Sequence, residues 1–325
     1  MNYLKKTISI LASAVLLLAS CDKTPDVNNN SNPNQTIVPE NNIQALQNYF
    51  SNNMELAKQS FTVDAASGGT VISTSGTQIT FYGNSFLNGS GQDVTGNITI
   101  ELVELFNKSE MLRLNKPTMG VLPFGEQRPL VSGGEFQVKA FQNGSELSLK
   151  AGTSYTIVSE APGGIADENM SLFIGEENGD TLTWFPQDSS NNTGVFAEGS
   201  QYFTFLNQLN WINCDYFMNY NGPMTTVSAQ FPDGFTNNNA MLFISFDGLN
   251  SLTGIYGFEN GVFTTAPYYE LPVGIDVHFI AFTVINDEPH AAIVSATIAD
   301  GHLEIIPELI QTTEGQFASD LLTLP

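Results

Sequence analysis

Asn143-Gly144 parts "EFQVKAFQ" from "SELSLK", Asn260-Gly261 parts "TGIYGFE" from "VFTTA", and Asp300-Gly301 parts "AAIVSATIA" from "HLEII". Asn or Asp followed by Gly supplies the positive φ angles of a tight hairpin turn. The flanking runs are rich in Val, Ile, Thr, Phe and Tyr, which suit a pleated, half-buried surface. Beyond residue 60 the chain therefore reads as strand almost throughout. The predicted fold class is all-β, and 325 residues exceed one sandwich of about 100, so two tandem β-sandwich-like domains are expected.

One segment departs from this pattern. "NNIQALQNYFSNNMELAKQS", residues 41–60, places Ile43, Leu46, Tyr49, Phe50 and Ala57 at near-helical spacing after an Asn cap, which predicts one short amphipathic helix. The expected partition is then a first sandwich over 61–158, a polar connector over 159–200 with one hairpin around Asn178-Gly179, and an acidic C-terminal β domain over 201–325. The connector is placed by composition, since "GEENGDTLTWFPQDSSNNTGVFAEGS" is polar and rich in turn residues.

The amino terminus carries an address. "MNYLKKTISILASAVLLLASC" sets Lys5 and Lys6 before an apolar run that is too short to span a bilayer as a mature helix. Its end, "LASC", resembles the lipobox of bacterial lipoproteins. That resemblance implies a signal peptide over 1–20 and a diacylglycerol thioether on Cys21, so that the protein meets a membrane through its lipid. Two or three acyl chains, at ~0.8 kcal/mol per buried methylene, hold a protein to a bilayer without a further helix. Residues 21–40, rich in Asn and Pro, read as a disordered tether. An outer-membrane lipoprotein facing the periplasm or the cell surface is the expectation.

Charge narrows the partners. All ten Lys and Arg lie between Lys5 and Lys150, against twelve acids in the same stretch, and the remaining residues carry 21 acids and no Lys or Arg. Nucleic acid requires clustered cations to release its counterions, so no nucleic-acid partner is expected. Envelope protein or glycan is the expected partner class.

Residues 68–158 carry Gly76-Thr77 before a strand, Gly91 and Val94 before Gly96 and a long strand, then "MLRLNKPT", "SGGEF" and "NGSELSL". In these features the segment resembles the ZU5-like β-sandwich modules of many Bacteroidetes-type lipoproteins, which implies a structural or interaction module with no catalytic residue to carry over. Downstream, "NWINCDYF" resembles a strand reading close to "LGWINCDRF" in the same kind of lipoprotein, followed there by a segment like "LPVG", here Leu271 to Gly274. The match keeps Trp211, Ile212, Asn213, Cys214, Asp215 and Phe217, and it departs at Asn210 and Tyr216, where Gly and Arg are usual. It implies a lineage rather than an activity, with Trp211, Asn213, Cys214 and Asp215 as a structural fingerprint.

Candidate chemistry is sparse. A Cys nucleophile needs a base and a lowered pKa. Cys214 sits mid-strand in a half-chain without cations, so a buried thiol is expected, on a face with Ile212 and Tyr216 and opposite Trp211, Asn213, Asp215 and Phe217. His278, His290 and His302 are twelve residues apart, but in a "HFIAFTVI"/"HAAIVSATI" hairpin turning at "NDEP" they point apart, so no metal set is expected. "FPDGFTNNN" and "SFDGLNS" lack the ligand spacing of a dedicated calcium loop, which leaves calcium as the sole cofactor to consider and none as the expectation. Tyr268, Tyr269 and Trp184 are the candidate ligand-binding aromatics, because rings join apolar area to polar edges. The function expected is lipid-anchored, non-catalytic binding, adhesion or scaffolding at the envelope. The alternative is a hydrolase of surface polysaccharide or peptide using a carboxylate pair in the acidic half.

Overall fold

The longest strand, Gln127–Gln142, organises the molecule because its two halves pair with different partners. The computed structural model describes residues 42–179, 181–188 and 193–325. The segments expected to form a signal peptide over 1–20 and a tether over 21–40, Cys21 among them, lie outside the described residues. Within them the chain is mostly β-structure with three helices, Ile43–Ala57 (α1), Lys108–Arg113 (α2) and Glu314–Leu322 (α3). None of the helices is long and apolar enough to cross a membrane.

The turns follow the expected local chemistry. Asn143 and Gly144 take φ of 52° and 78°, and Asn260 and Gly261 take 52° and 83°, each joining antiparallel neighbours. Asn286 and Asp287, at 54° and 64°, close the Asp276–Ile285/Glu288–Thr297 hairpin where "NDEP" predicts it. Asp300-Gly301 differs: the strand after it, Leu303–Ile305, leaves its predecessor and runs parallel to Ser228–Gln230. A turn sets the backbone angles of two residues but does not choose the partner of the strand that follows.

One large sheet runs from the edge strand Gly194–Glu198 through Gln201–Leu206, Tyr155–Glu160, Gln78–Tyr82, Gly68–Ile72, Gln59–Asp64 and Asn97–Leu105 to Gln127–Gln142. From there the order continues through Asn210–Phe217, Ser171–Asn178 and Thr181–Pro186 to Met119–Val121, which pairs back onto Gln127–Gln142 and closes a five-strand cycle. The division expected at 159–200 is thereby corrected. Those residues supply three strands of this sheet, and Asn210–Phe217 lies inside it between Gln127–Gln142 and Ser171–Asn178. The described residues belong to one compact unit.

Three apolar layers hold this arrangement. Ile79, Phe81, Ile98, Ile100, Phe136, Val138, Ile157, Ile212 and Cys214 fill the first, under the large sheet. Val227, Ala229 and Phe263 meet Leu242, Ile244, Phe279 and Ala281 in the third, between a four-stranded and a five-stranded sheet. The second layer lies on the other face of that five-stranded sheet, where Phe243, Ile280 and Phe282 pack with Leu46 and Phe50 of α1, Met111 and Leu112 of α2, Phe317 and Leu321 of α3, and Trp184 and Trp211. Strands Met241–Phe246 and Asp276–Ile285 are thus buried on both faces, which is why they read as near-continuous apolar runs. α1 buries Leu46 and Phe50 as its spacing predicts, although its N-cap Asn42 makes no side-chain capping bond.

Candidate functional site

Tyr268 and Tyr269 are neighbours with opposite fates. Both backbone N–H groups donate to the Thr265 carbonyl, at 2.9 and 3.1 Å, and the tight bend sends one ring inward and one outward. Tyr269 is buried, its hydroxyl donating to the Gly254 carbonyl at 2.8 Å. Tyr268 is 58% exposed and stands over a groove of about 440 Å³ whose wall includes Glu126, Arg128, Tyr220, Met224 and Glu270. The Tyr220 hydroxyl donates to the Val273 carbonyl at 2.6 Å, which fixes that ring at the rim. Arg128 pairs with Glu126 at 3.0 Å. The first sheet thereby delivers an arginine to a surface whose own half of the chain has no cation. Two rings, a guanidinium and two carboxylates in one concavity match the mixed apolar and hydrogen-bonding surface of a small polar ligand.

Trp184 does not join them. It is fully buried, donates from Nε1 to the Pro117 carbonyl at 3.1 Å, and meets Trp211 edge-on at 6.2 Å between centroids. The cause is Gly175 in the opposing strand. A Cβ there would come within 2.6 Å of the Trp211 Cβ and 2.8 Å of the Trp184 ring, so the missing side chain makes the space both indoles occupy.

The fingerprint strand is buried on both faces, with the expected split. Ile212 and Cys214 enter the first core, Trp211 and Phe217 the second. Trp211 Nε1 donates to Glu177 Oε1 at 2.9 Å; the same oxygen takes Lys116 Nζ at 2.7 Å, and that ammonium lies 5.2 Å from the Trp211 ring centre. Cys214 is a free thiol with Thr204 Oγ1 at 3.3 Å. Burial pushes its pKa up to about 12, with a smaller push from Asp215 and a partial offset from the Thr204 hydroxyl.

Sequence reasoning missed Glu135. The register slips between Asn213, which faces Glu135, and Asp215, which faces Ser132, so Gly133 and Gly134 carry a β-bulge. Gly134 sits at φ 136°, with its N–H donating to Ser132 Oγ at 3.1 Å. Ser132 Oγ donates to Asn213 Oδ1 at 3.0 Å, and Asn213 Nδ2 donates to Asp215 Oδ2 at 2.6 Å. Glu135 and Asp215 are wholly buried, and both oxygens of Glu135 and Oδ1 of Asp215 find no hydrogen-bond partner among the described residues. Burial holds the Glu135 carboxyl well above the usual range, the Asp215 charge adding to the shift and Lys116 opposing it. Asp215 is raised likewise by burial, eased by Ser132. Two coupled carboxyls with raised pKa values resemble an acid/base pair in composition, yet neither is open to a substrate.

The three histidines are held apart in separate bonds: His278 Nδ1 to Asp247 at 2.8 Å, His290 Nδ1 to the Glu288 carbonyl at 3.0 Å, and His302 Nε2 to Glu304 at 3.1 Å. His302 also stacks on Phe279. Among the described residues no three His, Cys, Asp or Glu side chains gather to hold a metal. Comparison of the chain with protein-family models finds no match, and neither does comparison with curated proteins.

Proposed function

We propose that this is a lipid-anchored envelope protein of the outer membrane that binds a glycan without chemically altering it, through the groove beneath Tyr268. The observation that carries the reading is the exposed Tyr268 ring set beside Arg128 and the pinned Tyr220. A pyranose has an apolar face that stacks on an aromatic ring and a rim of hydroxyls that bond guanidinium and carboxylate groups. The signal pattern ending at Cys21 supports the anchor, and the resemblance of residues 68–158 to ZU5-like modules supports an interaction role. Bacteroidetes-type lineage and surface or periplasmic exposure belong to the same proposal.

Two measurements test it. Metabolic labelling with an alkynyl fatty acid is expected to tag the wild-type chain and to be lost in Cys21→Ala; equal labelling of the variant refutes the anchor. Affinity for extracted envelope glycans is expected to fall by about tenfold in Tyr268→Ala, the loss of one stacked ring, with folding unchanged because the ring is exposed. Glycan capture that is unchanged in this variant, or absent from wild type, refutes the groove.

A further inference from the structure

Three buried carboxylate oxygens without partners, Oε1 and Oε2 of Glu135 and Oδ1 of Asp215, occur at the one place where the Gln127–Gln142 and Asn210–Phe217 strands slip register. Buried polar atoms in folded proteins are almost always bonded, and a buried carboxylate lacking a partner is strongly destabilising. The nearest cation does not supply one. The Lys116 ammonium is bonded to Glu177 at 2.7 Å and lies over the Trp211 ring. Glu110, the other charged group acting on Glu135, is acidic, and its carboxylate is engaged with the Phe106 N–H at 2.6 Å. A single shared proton neutralises one of the two carboxylates, whereas a divalent cation neutralises both.

We infer that the bulge is a binding site for one hard divalent cation, calcium by chemical class, held by the carboxylates of Glu135 and Asp215. Oxygen-only donors at a site without His or thiolate on the same face select a hard ion over zinc or copper. Register places Glu135, Asn213, Asp215 and Ser132 on one face. Asn213 Oδ1 and Ser132 Oγ are neutral oxygens beside the two anions, already tied to each other at 3.0 Å, so the donor set is oriented before an ion arrives. Calcium tolerates irregular oxygen sets, whereas magnesium demands near-octahedral geometry and keeps its water, which a sealed site does not provide. The ion would crosslink Gln127–Gln142, the strand that joins the closed five-strand cycle to the rest of the large sheet, to its neighbour Asn210–Phe217, and so act on stability rather than on the groove.

The test uses the full chain freed of metal by chelation. Calcium chloride at a hundredfold excess over Kd is expected to raise the thermal midpoint by about 5 °C, with magnesium chloride giving less. Terbium is expected to bind one per chain and to luminesce on tryptophan excitation, because Trp211 lies two residues from Asn213 on the same face. Glu135→Gln and Asp215→Asn are expected to lose the calcium shift, whereas Asp233→Asn, at an exposed acid, retains it. No shift in wild type at 5 mM calcium overturns the site. An equal shift in Glu135→Gln also overturns it, because surface carboxylates then account for the effect. If neither variant folds, terbium stoichiometry on wild type decides: one saturable ion supports the site, and several weak ions or none refute it.

Discussion

Native protein mixed with an aromatic disulfide reagent at neutral pH is expected to leave Cys214 unmodified, and the thiol to react fully once denaturant unfolds the chain. The thiolate is the reacting species. A pKa moved from 9.0 to about 12 lowers its population by about a thousandfold. Access lowers the rate further, since Cys214 is wholly buried among Ile212, Phe136 and Leu172 and the reagent cannot enter without an opening of the sheet. The strand carrying it is central, flanked by Gln127–Gln142 on one side and Ser171–Asn178 on the other, so fraying of an edge does not expose it. Labelling should then track opening of the large sheet and accelerate with denaturant in step with loss of structure. A native half-life of minutes would mean that the core around Cys214 opens locally, or that the thiol is held differently.

Local features of this fold were legible and non-local ones were not. Asn143-Gly144 and Asn260-Gly261 form the turns their residues demand because the requirement for positive φ lies within two positions. Asp300-Gly301 did not yield the expected hairpin because Leu303–Ile305 found its partner at Ser228–Gln230, a choice made by core packing across more than 70 residues. The two missed helices had signals. Asn107 accepts from the Glu110 N–H while Glu110 reaches back to the Phe106 N–H, and Thr313 caps the Gln316 N–H. Both fit the capping pattern of a short polar residue followed three positions later by Glu or Gln. The stretch 159–200 reads as a connector because Ser171–Asn178 ends in exposed acids and Thr181–Pro186 buries only alternate residues. Its place in the sheet rests on Phe173, Leu182 and Trp184, too few apolar residues to dominate a composition window. At the candidate groove, Tyr268 was legible as an aromatic with a polar edge, but nothing local told its exposure from the burial of Tyr269 and Trp184. Arg128 was missed because only the closing of Met119–Val121 onto Gln127–Gln142 brings it there. Glu135 was hidden in "SGGEF", where the paired glycines signal a bulge but not the burial of the acid behind them.

That acid makes stability depend on pH in the direction opposite to most proteins. In metal-free buffer the chain is expected to become less stable as pH rises from about 5 toward 8. The folded state holds protons on Glu135 and Asp215 above their ordinary values of 4.5 and 3.8. The unfolded chain releases those protons near the ordinary values, so between them and the raised values the folded state binds more protons than the unfolded. The slope of stability with pH is then negative. The contribution is complete below about pH 4 and is lost on the way up, at about 1.4 kcal/mol per pH unit for one such group. For a chain of this size that slope is roughly 2 to 3 °C in midpoint per pH unit. Glu177 works in the other direction and in another window. Burial raises its pKa, but Lys116 and the Trp211 N–H together bring it below the ordinary value, so its contribution is present above about pH 4.5 and fades in acid. Maximum stability is expected near pH 4 to 5, flanked by loss on both sides. Glu135→Gln, which keeps the shape and removes the charge, should flatten the alkaline limb by the share of one group. The acid limb should be untouched, because Glu177 keeps both its partners. Denaturant melts at half-unit pH steps measure both limbs. An alkaline limb equally steep in Glu135→Gln, or a wild-type optimum above pH 7 without added metal, would show that the folded state does not hold these protons. Added calcium should raise the same limb in wild type alone, because an ion between the two carboxylates replaces the protons that the rising pH removes.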